Sequence, residues 1–455
     1  MRVRAHAIRA AFSSRLWPIP VFAVALAVAL GVGLPALDEE VDDRLPDVLQ
    51  VYLFSGGAEA ARSVLEAISG SLITVTSLTF SLTVVTLQLA SSQFSPRLLR
   101  TFTSDSFVHW TLALFLGTFA YSLTVLRSVR SGTAGGTEFV PDIAVTVAFL
   151  LAIASVIGLV LFLAHLTREI RVETMMRNVH TETAATIERV LPTKLTPPAG
   201  APAAPGRPAA SGDPTASGGQ RILAPSSGFL NRVDEMGLAT VARELGAVVR
   251  IDAWAGDSLI AGVPFATAWG GAAREPFTSA ELEDLTRQLA GVVTVGFERT
   301  NDQDPVFGFR QLADVGARAL SPGTNDPTTA VHVLGHLSSL LCMLMDRELR
   351  DHLVRDADGR VRAIVARPGF DHFLATAVSQ IRHYGVQDVE VGLRLLTLFE
   401  EVNWCDHLGA QCHALQSKLA ELRESIGHHQ YTGAEKHALV DRLDQVQSAV
   451  SANAR

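Results

Sequence analysis

Four threonines, Thr76, Thr79, Thr83 and Thr86, recur at steps of three and four inside a stretch that carries no charge, SGSLITVTSLTFSLTVVTLQLASSQ from Ser69 to Gln93. On a helix such spacing sets them along one stripe, and Ser77 and Ser81 are expected to flank it. A hydroxyl stripe supplies weak, replaceable ligands for a partly hydrated ion, the chemistry of a pore wall, provided several copies surround an axis. The same residues also suit plain helix packing, because a hydroxyl can bond back to the carbonyl one turn earlier and small polar residues let helices approach. A third option is a buried substrate path inside one subunit. Gln93 and Arg97 close the stretch and complete the candidate pore lining. Arg97 and Arg100 are read either as a pore mouth that favours anions or as anchors beside a Pro96 stop.

A second set of groups able to bind or gate lies far down the chain: Arg299, Asp302, Asp304, Arg318, Asn325 and Asp326. Two polar turns of this kind bind a small ligand or, equally, hold two helices at an angle through salt bridges and caps. Arg318 precedes a helix break and is expected to reach Asp302, Asp304 or Asp326. His332 and His336 have the four-residue spacing of metal ligands but bring no third ligand and no HExxH glutamate. Cys405, His407, Cys412 and His413 fit no closed zinc site by spacing. The expectation is therefore no metal and no cofactor. The sequence contains no P-loop, GxSxG, HExxH or Rossmann fingerprint, so no enzyme is expected.

These groups need elements to position them. The chain has 455 residues, 48% of them hydrophobic, a formal charge of −8 and a mean hydropathy of +0.26. The balance suggests a membrane part joined to a sizeable soluble part, and the net negative charge argues against nucleic acid as a partner. Three cysteines, Cys342, Cys405 and Cys412, form no disulfide framework and suit a reducing compartment.

Four spans are expected, at about 18–37, 69–93, 108–126 and 143–165, each long enough to cross a bilayer. Ala23, Ala27 and Gly31 give the first a small-residue packing face. The basic segment before the first span is followed by an apolar run too long for a signal peptide and by Asp38-Glu39-Glu40, a poor cleavage context. Arginines before the first span, around Arg97 and Arg100, and at Arg168, Arg171 and Arg177 place both termini in the cytoplasm. Arg127 and Arg130 disagree and are assigned to snorkelling.

Residues 1–190 thus form the membrane domain. Residues 191–224, rich in Pro, Ala, Gly and Ser, form a disordered linker, and 225–455 form a cytoplasmic α+β domain with a small β-rich part and C-terminal helices. Strands are expected at 228–233 and 248–254, a tight hairpin set across 255–265, a helix over 236–245, and another over 279–289 capped by Ser279 without a capping box. Helices follow at 309–320, at 328–345 with Asp326 as N-cap and Pro327 in first position, and at 370–384, 389–406, 407–426 and 434–450.

Two segments, TFSLTVVTLQLASSQFSPRLL (79–99) and RTNDQDPVFGFRQLADVGARALSPGTNDPTTA (299–330), resemble the signature regions of a bacterial family of predicted membrane proteins, domain of unknown function 2254. The resemblance runs from the first span to about Phe399. It implies an integral protein of the bacterial inner membrane and no particular activity. On the residues, the expected function is an oligomeric ion channel with a Ser/Thr-lined second helix gated by the cytoplasmic domain. The partners would be the lipid bilayer, further copies of the chain, and an ion or small ligand. The alternative is a membrane-anchored sensor or scaffold.

Overall fold

The structure is a computed structural model that describes residues 17–41, 53–93, 105–130, 139–169, 171–194, 219–270 and 276–453. The chain divides into two compact units, Met1–Thr174 and Met175–Arg455. The boundary falls earlier than the expected one at residue 190.

The first unit holds four long helices: α1 (Pro18–Val41), α2 (Ala58–Gln93), α3 (Ser106–Leu126) and α4 (Asp142–Glu169). α2 begins eleven residues before the expected span, so Ala58 to Ile68 is helix rather than loop. Its added turns carry Ala61, Leu65 and Ile68 into the core, a 3.6-residue apolar period that continues the buried face of the span. α3 is the hub and packs on α1, α2 and α4. Glycines allow the close approach: a β-carbon on Gly31 of α1 would sit 2.8 Å from Thr124, and one on Gly158 of α4 would sit 3.2 Å from Leu114. The small face of α1 meets α3 as expected, with Ala27 and Gly31 buried and Gly117 of α3 lying against Ala23. Large apolar side chains such as Phe22, Phe80, Phe149 and Val160 point outward, as lipid-facing helices require.

Asp38, just past the expected end of the first span, lies on the last turns of α1 and is buried. Its carboxylate accepts from the backbone amides of Ile143 (3.3 Å) and Ala144 (3.1 Å) and so caps the first turn of α4. The Tyr121 hydroxyl donates to the Ala144 carbonyl at 3.0 Å, the Phe54 amide donates to the Thr146 hydroxyl at 2.9 Å, and Arg62 donates to the Val129 carbonyl at 3.0 Å. One end of the helix bundle is thereby tied by polar contacts that satisfy groups a helix terminus leaves open.

The second unit opens with α5 (Val172–Val190). Two sheets follow. The larger has order β1-β5-β3-β8-β7, from β1 (Gln220–Leu223), β5 (Pro264–Trp269), β3 (Val248–Ile251), β8 (Val361–Val365) and β7 (His352–Arg355). Its neighbours are antiparallel except β3 with β8. The smaller has order β4-β2-β6, from β4 (Ser258–Leu259), β2 (Gly228–Val233) and β6 (Val293–Gly296). The expected hairpin across 255–265 is therefore not one. β4 pairs with β2 and β5 with β1 and β3, so the turn at Ile260–Val263 carries the chain from one sheet to the other, with Gly262 at φ +79°. β1 also removes Gln220–Leu223 from the expected linker.

α6 (Glu235–Glu244) covers the larger sheet, and α7 (Ser279–Leu289) joins the same core through Leu285 and Leu289. The N-cap of α7 is Thr278, one residue before the expected Ser279. That shift makes Glu281 the third helical residue and completes a reciprocal capping box. The remaining helices pack on one another: α8 (Pro305–Ala319), α9 (Pro327–Leu344), α10 (Phe370–Gly385), α11 (Val389–Cys405), α12 (Cys412–His428) and α13 (Gly433–Asn453). Asp326 caps α9 with Pro327 in first position, as expected. α8 starts four residues before the expected Phe309, with Asp304 as its cap and Pro305 in first position. Gly308 of α8 lies so close to Thr183 of α5 that a β-carbon would meet its hydroxyl at 1.8 Å.

Replacing Asp38 by alanine leaves the first amides of α4 without an acceptor inside the bundle. Asp38→Ala is expected to cost about 1–2 kcal/mol and Asp38→Asn clearly less, because an amide oxygen still accepts. The apparent melting temperatures of the purified variants in detergent check this ordering, and equal losses for both would refute the capping role.

Candidate functional site

The two polar groups anticipated in the sequence fall in different units. In α2, Thr76, Thr79 and Thr86 are buried and Thr83 half-buried, on the face that carries Leu65, Ile68 and Leu72 into the core of the bundle. The stripe looks into its own subunit. Thr76 donates to the Leu72 carbonyl at 2.7 Å, Thr83 to the Thr79 carbonyl at 2.8 Å and Thr86 to the Leu82 carbonyl at 2.8 Å. The Thr79 hydroxyl is buried without a partner among the described residues. The Gln93 side chain and Arg97 lie outside the described residues.

Ser77 and Ser81 do not flank this stripe. At about 100° per residue, Gly70, Thr74, Ser77, Ser81 and Gln88 share the opposite side of the helix, and all five are exposed. α2 therefore has two polar faces, one closed against the bundle and one open.

In the second unit, the residues between Arg299 and Asp326 separate into two places. Asp304 is 1% exposed and does two things. Its Oδ1 accepts from the Phe307 amide at 3.1 Å and caps α8, while its Oδ2 accepts from Arg299 Nε at 2.9 Å and Nη2 at 2.6 Å. The Arg299 guanidinium also lies over the Phe307 ring, 5.3 Å from its centre. Gly256, at φ +100°, backs onto this pair; a β-carbon there would come within 2.1 Å of Asp304 Oδ2. Arg318 sits fourteen residues further along α8, about 21 Å at 1.5 Å per residue, and cannot share Asp304. Asn325, in the left-handed region at φ 47°, and Asp326 belong to the turn into α9. Asp326 accepts from the Thr329 amide (3.1 Å) and hydroxyl (2.6 Å), which hold its carboxyl below the usual carboxylate range. The backbone carbonyl of Asp302 accepts from Arg189 at 3.0 Å.

Three residues that carried no signal in the sequence complete the Asp304 cluster. Asp257 accepts from the Trp254 amide at 3.0 Å, Trp254 meets His372 ring to ring at 5.2 Å, and Asp257 interacts electrostatically with both His372 and Arg299. They come from a strand-to-strand turn and from the first turn of α10, so only the fold assembles them. Burial dominates the electrostatics. It pushes Asp304 up to about 6 against the opposing pull of Arg299 and the cap, raises Asp257, and lowers His372. Beside Asp304 is a cavity of about 40 Å³ bounded also by Trp254, Gln303, Glu235 and Arg367, room for a water rather than an organic ligand. Chemically this is a buried proton-binding site clamped by one arginine.

His336, weighed with His332 for its spacing and not expected to hold a metal, meets His180 of α5 ring to ring at 5.1 Å. No group of three or more metal-holding side chains assembles among the described residues.

Five helices are long and apolar enough to cross a membrane, α1 to α4 and α9. This agrees with a family model described as Predicted membrane protein (DUF2254), which matches residues 13–401. The chain belongs to that family. DUF2254 relatives include the "Uncharacterized protein Rv1290c" of Mycobacterium tuberculosis and the "Uncharacterized protein Mb1321c" of Mycobacterium bovis. Each is 35% identical over 399 residues, covering 88% of this chain and 74% of the relative. No solved structure matches this DUF2254 chain significantly.

The sign of the Asp304 shift sets a pH dependence. Its native proton affinity exceeds that of an unfolded aspartate at 3.8, so between about pH 4 and 6 the native state keeps a proton the unfolded chain has released. This stabilisation is complete below the unfolded value and lost as pH rises through 6. In Asp304→Asn that contribution is absent. The stability difference, variant minus wild type, should rise from pH 4 to 6 and level off above 7. Thermal unfolding across that range measures it, and a flat difference would refute the assignment.

Proposed function

We propose that this chain assembles in the bacterial inner membrane through α2, with Gly70, Thr74, Ser77, Ser81 and Gln88 facing further copies, and that the seam they form is a path for an ion. The observation that supports this reading is the open polar face of α2. The charge-free stretch of residues 69–93, itself of membrane length, gains nothing by showing hydroxyls and an amide to acyl chains, whereas small and hydroxylated residues suit close helix approach and weak ion contacts. The Thr76–Thr86 face, first in line as a pore wall, takes the other role and holds α2 to its own bundle. We read α1 to α4 as the spans, and most of the arginine distribution favours both termini on the cytoplasmic side. α9 is set apart because Val333, Leu334, Leu337, Leu340, Leu341 and Leu344 are already buried.

A second reading, a membrane-anchored sensor, draws on the Asp304 cluster, whose charge state changes near neutral pH. It predicts a pH-dependent change in the full chain without transport.

Purified protein in liposomes separates the two. Ion flux above that of empty vesicles, reduced severalfold by Ser77→Leu or Ser81→Leu, is the expected result. Thr79→Leu and Thr83→Leu should lower stability more than they alter conductance. Flux equal to empty vesicles across pH and voltage would remove the channel, and a monomer by mass measurement in detergent would remove the assembly.

A further inference from the structure

Between α9 and α11 runs an open groove of about 560 Å³ whose wall includes Cys342, Cys405, Arg394 and Trp404. Cys342 lies near the end of α9 and Cys405 is the last residue of α11, two helices that pack directly. The Cys342 thiol donates to the carbonyl of Glu401 at 3.6 Å. In the helical ladder that carbonyl is the one the amide of Cys405 takes, so Cys342 rests against the turn that carries Cys405. Both cysteines line the same groove. Both are partly open to solvent, whereas the third cysteine, Cys412, is buried. We propose that Cys342 and Cys405 are a reversible dithiol–disulfide pair, oxidised through the groove by a low-molecular-weight disulfide.

The two sulfurs have different parts in the reaction. Burial, the Cys405 thiol and the Glu401 charge push Cys342 up to about 12, so it rests protonated, and a thiol must ionise to attack. The Cys342 thiol is also held by the Glu401 carbonyl, so the first attack is assigned to Cys405. Its thiolate bonds one sulfur of the small disulfide, the reagent's S–S bond breaks, and the leaving thiolate takes up the proton that Cys405 released. Cys342 then loses its proton to the second leaving thiolate as its sulfur bonds Cys405 and expels that group. Two protein thiols become one disulfide, and the small disulfide becomes two thiols. The groove has the size of a small-molecule site. Arg394 and Glu401 pair at its edge, Glu400 also lines it, and Trp404, 81% exposed, offers an apolar face to a small peptide-like disulfide. Closing the bond would staple α9 to α11.

Oxidised glutathione is the probe. The full chain in detergent is reduced, desalted, incubated with the probe and mapped by fragmentation mass spectrometry without reduction. A Cys342–Cys405 cross-link two hydrogens lighter than the dithiol, reversed by dithiothreitol and retained in Cys412→Ser, is expected. Cys342→Ser should stop at a stable glutathione adduct on Cys405. Cys405→Ser should slow reaction at Cys342 at least tenfold, and Cys405→Ala should do the same if serine disturbs the helix end. Adducts without a cross-link in the wild type, a cross-link to Cys412, or no reaction at all would each overturn the proposal.

Discussion

A helix in lipid has no water to satisfy its polar groups, so each must find a partner in the protein. That constraint organises the first unit. Thr76, Thr83 and Thr86 of α2 meet it locally, returning their hydroxyls to carbonyls of the preceding turn, and Thr111, Thr118 and Thr124 of α3 do the same. A threonine that bonds its own helix offers neighbours a methyl group, so the inward stripe of α2 packs as an apolar face does. Asp38 meets the constraint at longer range by lending its carboxylate to the open amides of α4. Most buried polar residues of the bundle thus serve its closure, whereas the outward side of α2 carries Thr74, Ser77, Ser81 and Gln88 exposed along the span.

The second unit applies the same economy to charge. A buried carboxylate is costly unless paired and hydrogen-bonded. Asp304 has both kinds of support, from Arg299 and from the first turn of α8, yet desolvation still outweighs them and keeps its proton affinity high. The glycine at 256 is part of this arrangement, since any side chain would displace the carboxylate. Asp326 repeats the Asp-Pro cap on α9 in a more open setting, and there the hydrogen bonds win and the carboxyl stays acidic. The same dipeptide gives opposite electrostatics because burial differs.

What the sequence disclosed follows from the range of each interaction. Helix existence and most caps depend on neighbours within four residues, so Asp326-Pro327 is legible, and Asp304-Pro305 carries the same signal four residues before the expected start at Phe309. The capping box at Thr278 lies one position before the expected cap, and that single step decides whether Glu281 is its partner. Strand pairing is long-range. β7 (His352–Arg355) and β8 (Val361–Val365) pair with each other across a short turn, and β8 enters the larger sheet only through β3, a parallel neighbour far away in the chain. The candidate sites show the same division. Arg299 and Asp304 are five residues apart and were found together. Asp257 and His372 reach them through the fold, and Cys342 reaches Cys405 across 63 positions with no local mark.

Hydropathy alone does not separate a membrane span from a core helix, and α9 shows why. It passes the same test of length and composition as α1 to α4. Its apolar residues, however, are taken up on several sides by α8, α10 and α11. In α1 and α4 most of the apolar surface remains outside the bundle, with Phe22, Val32, Phe149, Val156 and Val160 all exposed. For a soluble helix that exposure would be a large unmet cost, at about 25 cal/mol per Å². In a bilayer it is the surface the lipid requires. The arrangement of buried and bare apolar area, rather than its total, therefore sets α1 and α4, which still have such surface to offer to a membrane, apart from α3 and α9, which have spent more of theirs on the protein.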